Sequence, residues 1–303
     1  MLTRILEGSH DGRAQMIGAA LETRDAPERR AVAAGWRACI ELDFERRGER
    51  TVLARRRHQG PLMVQSAFYP EGGTCHVYLL HPPGGLVGGD ELRLEVHAAP
   101  ASHALLTTPA AGKFYRSDGA RSRLTQRMRV ARGATLEWLP AESIVFQGAR
   151  CVLDSRIELE SGARLLAWEA WVLGRPASGE AFHAGSFRQC QELWLDRRPL
   201  LVERNDAIGG SAWLRGAWGL AGRAAAATLL AYPGDEQAVQ AARRAIGGGS
   251  EVFAAASVLD GLLVCRVLAG GLLELRAQLE RWWHALRPLI TGRVAVAPRI
   301  WAT

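Results

Sequence analysis

The sequence predicts a mainly β body of many short strands followed by two late helices, and three observations carry that reading. Short apolar or alternating runs recur about every ten residues from Trp36 onward, divided by Gly, Pro or Asp. Before about residue 224 no segment of helical period separates those runs, which sets aside an alternating β/α chain. Two segments of helical period follow beyond that point. No exact short repeat marks a simple solenoid.

Residues 1–34 mix Glu, Asp, Arg and Ala without a clear apolar period and read as a flexible N-terminal tail ahead of one domain spanning 35–303. Ala38, Ile40, Leu42 and Phe44 alternate with Cys39, Glu41, Asp43 and Glu45, a half-buried strand by its period of two, and Gly48 turns it. Further strands are predicted over 51–55, 62–67, 75–80, 92–96, 104–108, 124–130 and 135–139. The series continues over 144–146, 156–160, 165–173, 187–195, 199–204 and 226–232. Asp235 then caps a helix that places Ala238, Val239, Ala242 and Ile246 on one face, with Gly247 as its stop. Strands over 252–259 and 262–268 meet at Asp260-Gly261, the strongest hairpin signal in the chain. The second helix is predicted from about Leu272 to Leu286 on the spacing of Leu275, Leu279, Trp282 and Leu286, with Pro288 beyond its end.

The stretch His81 to Asp90, His-Pro-Pro-Gly-Gly-Leu-Val-Gly-Gly-Asp, is neither helix nor regular strand, because two prolines and four glycines demand an irregular turn. It matches neither a phosphate-cradling loop nor a dinucleotide fingerprint, and Gly84 and Gly85 are expected to need positive φ.

Composition narrows the function. The five cysteines are scattered and read as reduced thiols, and the N-terminal region offers no apolar core for a signal peptide. No stretch reaches the length of a membrane span, so a cytoplasmic protein without a membrane partner is expected. The charge of +7 is carried by dispersed arginines, Lys113 being the single lysine, and no stacking aromatics accompany them; nucleic acid is therefore not the expected partner. No nucleophile elbow, zinc-protease helix or P-loop is present, which argues against an enzyme. His76, His81, His97 and His103 lie near the glycine loop but without metal-ligand spacing and read as ordinary partnered histidines. Glu169 and Glu203 sit in or at the end of apolar strands, where an unpaired charge costs several kcal/mol, so each needs a partner such as Arg175 or Arg204. With Asp90 at the mouth of a strand there are three such acids, which raises a lined interior passage as the alternative.

Several motifs then bear on one family. They are Gly-Pro-Leu-Met-Val-Gln at 60–65, Phe-Tyr-Pro-Glu at 68–71, and Cys-His-Val-Tyr-Leu-Leu-His-Pro-Pro-Gly-Gly-Leu-Val-Gly-Gly-Asp at 75–90. Lys-Phe-Tyr-Arg-Ser at 113–117, Leu-Glu-Trp-Leu-Pro at 136–140, Leu-Gly-Arg-Pro at 173–176, Leu-Leu-Val-Glu-Arg at 200–204 and the terminal Pro-Arg-Ile-Trp-Ala-Thr complete the set. From about Gly35 to Thr303 the chain resembles the urease accessory protein UreD family, called UreH in some organisms. The departures are the segment before residue 35 and Pro109 in Thr-Thr-Pro-Ala-Ala. The resemblance implies β-helical architecture and a non-enzymatic metallochaperone scaffold in urease maturation, which binds apo-urease and UreF and reaches the GTPase UreG through UreF. It further implies no permanently bound cofactor, with nickel in transit through an internal tunnel, and it places Asp90, Glu169 and Glu203 among the tunnel-lining acids.

Overall fold

The computed structural model describes residues 35–248 and 252–302, so the expectation of a flexible N-terminal tail lies outside the described residues. Within them the strands run, in chain order, Arg37–Arg47 (β1), Arg50–Gln59 (β2), Met63–Val64 (β3), Cys75–Leu80 (β4), Glu91–Ala98 (β5) and His103–Thr107 (β6). Next come Gly112–Phe114 (β7), Ser122–Val130 (β8), Thr135–Leu139 (β9), Ser143–Val145 (β10), Arg150–Leu159 (β11) and Arg164–Leu173 (β12). Ser186–Leu195 (β13), Arg198–Ile208 (β14), Ala225–Tyr232 (β15), Val252–Leu259 (β16) and Leu262–Ala269 (β17) follow. The helices are Ala212–Arg215 (α1), Glu236–Arg244 (α2) and Leu272–Thr291 (α3).

From β4 to β13 the long strands alternate between two sheets, so the chain winds in stacked coils, the β-helical arrangement expected. One sheet has the order β14-β13-β11-β8-β5-β1-β2, parallel from β13 to β1 with an antiparallel strand at each edge. The other runs β16-β17-β15-β12-β9-β6-β4-β3 and is parallel from β12 to β4, with the short pair β7 and β10 attached beside β12. Residues stacked on one row, Glu91, Arg123, Val152 and Arg188, are unequally spaced along the chain. Coils of different length explain why the sequence carries no fixed repeat.

Two core layers result. Ile40, Phe44, Leu94, Met128, Leu165 and Phe187 fill the space between the sheets. Helices α2 and α3 cover the outer face of the larger sheet, where Leu166, Trp168, Leu229, Leu275, Trp282 and Trp283 form the second layer. Strand β12 shows why its run is apolar throughout: Leu165, Ala167 and Trp171 face the first layer, while Leu166, Trp168 and Val172 face the second. Asp260 and Gly261, at φ 51° and 76°, form the two-residue turn between β16 and β17 that the sequence signalled. The Asp235 side chain accepts from the Ala238 N–H at 2.8 Å and starts α2 as expected.

The structure corrects several sequence expectations. Helix α3 runs through Pro288 to Thr291, because burial of Leu286 and Ile290 outweighs the one hydrogen bond that proline removes; Gly292, at φ 73°, ends it. Strand β11 begins at Arg150, well before the predicted Arg156, since Asp154 faces outward to Arg123 and does not break the strand. The short helix α1 and strand β7 had no expectation. Gly84 does adopt φ 76°, but Gly85 does not take positive φ. Gly85 is glycine for want of space: a Cβ there would lie 2.4 Å from Tyr115 Cε2 and 2.9 Å from the Lys113 carbonyl.

Trp282 is fully buried on α3, and its indole N–H donates to the Ala242 carbonyl at 3.0 Å, tying α3 to the end of α2. Replacing it with alanine is expected to cost about 3–5 kcal/mol. Denaturant unfolding checks this, and an unchanged midpoint would place the side chain outside the core.

Candidate functional site

The strands set the three acids in different surroundings. Asp90 ends the glycine-rich loop just before β5, and both its oxygens accept from backbone: Oδ1 from the Trp36 N–H and Oδ2 from the Val87 N–H, each at 2.8 Å. It ties the loop to the segment entering β1 through charge-assisted bonds. His81, in the same loop, is pushed below the ordinary imidazole range by burial, with the Asp90 charge pulling the other way.

Glu169 stands on the inward face of β12. Its Oε2 accepts from Gln189 Nε2 at 2.6 Å, while Oε1 has no hydrogen-bond partner among the described residues. The residue is only 3% exposed. Burial pushes its carboxyl up to about 7; the nearby Ser155 hydroxyl and the Gln189 amide oppose the rise, and the charges of Glu203 and Asp154 add to it. Glu169 lines a cavity of about 380 Å³ between the sheets, walled by residues of β4, β5, β8, β9 and β11 and by the loop residues His81, Pro82 and Gly84. Gln126 and Trp138 on the same wall each have a buried polar atom, Oε1 and Nε1, without a partner among the described residues.

Glu203 on β14 is compensated from across the fold. Arg266 on β17 gives Nε–H and Nη2–H to Oε2 at 2.8 and 2.5 Å, and the Thr228 hydroxyl donates to Oε1 at 3.0 Å. The arginine that answers Glu203 is thus neither Arg175 nor Arg204. Arg175 is held by Glu180 at 2.6 Å, and Arg204, next along the strand, points to the opposite face. Glu169 likewise has its amide neighbour in place of either arginine.

A single hydrogen-bonded chain joins Glu169 to Glu203. Gln189 donates to Glu169 and accepts at Oε1 from Asn205 Nδ2 at 2.9 Å, and the same Nδ2 lies 3.4 Å from Glu203 Oε1. Glu203, Asn205, Thr228 and Arg266 line a second cavity of about 470 Å³, open to solvent beside the exposed Trp218 and Phe253. Two of the three acids therefore belong to one polar path through the sandwich, and Asp90, bound to backbone, stands off it. The amides on this path were missed in the sequence. Their signal was a polar residue at the inward phase of an alternating run: Gln126 among Leu124, Met128 and Val130, and Gln189 between Phe187 and Leu193.

A second polar cluster lies in the helix-covered layer. Arg287 of α3, fully buried, donates Nη1–H and Nη2–H to Glu71 at 2.7 Å each, and Nε–H and Nη2–H to Glu137 at 2.9 and 3.0 Å. His76 Nε2 lies 2.6 Å from Glu71 and His103 Nε2 2.8 Å from Glu137, while the Trp283 N–H reaches Glu137 at 3.2 Å. His76 and His103 are therefore carboxylate-partnered. Among the described residues no group of three or more His, Cys, Asp or Glu gathers in metal-holding geometry. On the outer face of the seven-stranded sheet several arginines are paired with acids, Arg55 with Glu41 and Asp43, Arg123 with Asp154, Arg156 with Glu158 and Glu192, while Arg127 donates to the Gln126 carbonyl.

Two pH dependences follow. Burial disfavours the Glu71 charge, but hydrogen bonds from His76 and Arg287 outweigh it and hold the carboxyl down at about 2. Against an unfolded value of about 4.3, its stabilisation is complete above that pH and is lost as pH falls toward 2. Glu71→Gln is expected to lower stability at pH 7 by about 3–5 kcal/mol, with the gap to wild type closing between pH 4 and 2. Thermal unfolding against pH checks it, and a constant gap would refute the assignment. For Glu169 the sign is reversed: its raised value gives stability that is full below about pH 4.3 and lost as pH rises to about 7. Glu169→Gln should match wild type near pH 4 and exceed it at pH 8 by up to about 3 kcal/mol. A variant less stable at pH 8 would mean that the charge is paired in the folded state.

Known proteins can be set beside this geometry. A family model described as UreD urease accessory protein matches residues 37–302. The urease accessory protein UreD of Alkalilimnicola ehrlichii is 48% identical over 92% of this chain and 95% of its own length. A UreD of Pseudomonas putida is 49% identical over 89% of this chain and 95% of its own, and that of Klebsiella aerogenes 45% identical over 89% and 97%. A match of this extent includes both sheets, the helical layer and the polar path between Glu169 and Glu203. The chain belongs to the UreD family of urease accessory proteins.

Proposed function

We propose that this chain is a non-catalytic scaffold that holds apo-urease and UreF together, reaches UreG through UreF, and lets nickel cross its interior on the way to the urease site. The observation that carries the reading is Glu169: a fully buried carboxylate with a free oxygen, facing a cavity between the sheets and joined by amides to a second acid at a second cavity. Structural acids are paired, as Glu137 and Glu71 are with Arg287. An acid left without a counter-ion at such depth is expected where a cation visits.

Nickel is cargo here, and the chain must release it. A permanent site would gather imidazole or thiolate ligands, whereas a lone carboxylate with amide oxygens holds a divalent ion weakly. Glu169 would receive the ion in exchange for its proton. Glu203 would hand it on, and Arg266 would take back the Glu203 charge afterwards. Asp90 would act at one end of the route by fixing the loop whose His81 lines the first cavity. No helix of the described residues is long and apolar enough to cross a membrane, and the proposed setting is the cytoplasm.

The three acids separate in a test. Asp90→Asn offers one acceptor oxygen where the backbone uses two, and Glu203→Gln removes the charge facing Arg266, so both perturb structure as well as passage. Glu169→Gln keeps the shape and mimics the protonated form of the acid. It should assemble with UreF and apo-urease in pull-downs at wild-type yield, while urease from cells carrying it should hold several-fold less nickel by elemental analysis. Urease with a normal nickel content would overturn the interior route.

A further inference from the structure

Gln189 lines neither cavity, yet it is hydrogen-bonded to a residue on the wall of each, to Glu169 on one side and to Asn205 on the other. It is 2% exposed, and the strand register sets it directly opposite Asn205. Next to it on the inward face of β13, Phe187 packs on Trp171 with ring centroids 5.3 Å apart, which fills the space on that side with apolar bulk. The Gln189 amide thus stands between a wall residue of one cavity and a wall residue of the other.

On the reading that nickel crosses the interior, we propose that Gln189 is the gate of that path. With its amide bound to Glu169 and Asn205 the cavities are separate; rotation of the side chain joins them and turns Oε1 toward a passing cation. An amide suits the task for three physical reasons. It is neutral, so leaving Glu169 strands no charge. Its oxygen is a hard but uncharged donor that guides a divalent ion without trapping it. Its bonds to Glu169 and Asn205 can be exchanged for bonds to water or ion at small net cost. The trigger is the ion itself: a cation that engages Glu169 competes with the Gln189 N–H for the same carboxyl oxygens and frees the amide to turn.

The gate makes a prediction that a structural glutamine does not. Gln189→Ala removes the partition and Gln189→Leu keeps its bulk without an oxygen, so the two should move nickel transfer in opposite directions. The full chain is assembled with UreF, UreG and apo-urease, supplied with nickel and GTP, and nickel entering urease is timed per assembled complex. Transfer is expected to be faster than wild type for Gln189→Ala. For Gln189→Leu it is expected to be about tenfold slower, equal to about 1.4 kcal/mol on the barrier. Should the leucine variant not assemble, Gln189→Met supplies the same bulk without the bonds. Both variants shifting the rate the same way, or neither shifting it while Glu169→Gln slows it, would overturn the gate and leave the path standing. Wild-type rates for Glu169→Gln as well as for both Gln189 variants would remove the path itself.

Discussion

Arg287 holds a full positive charge where water is excluded, and the two carboxylates that meet it decide how the molecule is put together. Burial alone would favour its neutral form; Glu71 and Glu137 reverse that preference and keep the guanidinium charged. Glu137 sits in the middle of the larger sheet, Glu71 precedes β4, and Arg287 belongs to the last helix, 216 residues from Glu71. One residue therefore pins α3 to the sheet in a fixed register, and with it Trp282, Trp283 and Leu286 are brought onto the sheet face. A parallel sheet needs cover on both faces, since its strands are apolar on both. Without the helix layer, Leu166, Trp168 and Leu229 would face water, so the ionic clasp and the second core stand or fall together.

The same sheet shows the opposite treatment of charge one strand away. Glu137 on β9 and Glu169 on β12 are both buried, and they look to opposite faces. Glu137 is surrounded by His103, Trp283 and Arg287 and lies below the usual carboxylate range, whereas Glu169 has amide and hydroxyl neighbours and lies well above it. The contrast separates a carboxylate kept for stability from one that stability alone would replace. A hydrophobic residue at 169 would pack against the first core layer at no electrostatic cost, which is why the acid points to a task beyond folding.

Local signals were the legible part of the sequence. The Asp260-Gly261 turn, the Asp235 cap and the strands at Cys75–Leu80 and Thr135–Leu139 are set by residues within a few positions of each other, and each stands where the pattern put it. Pairings across the fold were not legible. Arg287 with Glu71, Arg266 with Glu203 and Gln189 with Glu169 join residues from different coils, and unequal coil lengths hide the register that would have aligned them. The acids at 169 and 203 could be singled out because each breaks an apolar run. Their partners could not, because an arginine close in sequence is no nearer in space than one brought over by another strand.

The proposed passage also explains why its residues are of mixed chemistry. A path of carboxylates alone would bind a divalent ion at every step and would carry a mutual repulsion that burial amplifies, as the effect of the Glu203 charge on Glu169 already shows. Spacing the two acids with Gln189 and Asn205 keeps them from sharing a site, so no step holds the ion with two full charges. The partial protonation of one acid and the arginine beside the other then serve the same end by different means. Each neutralises its carboxylate while no ion is present, and each gives way to a divalent cation, the proton by leaving and Arg266 by turning to the solvent that its half-exposed side chain already touches. An interior route built in this way stays stable when empty and binds weakly when in use.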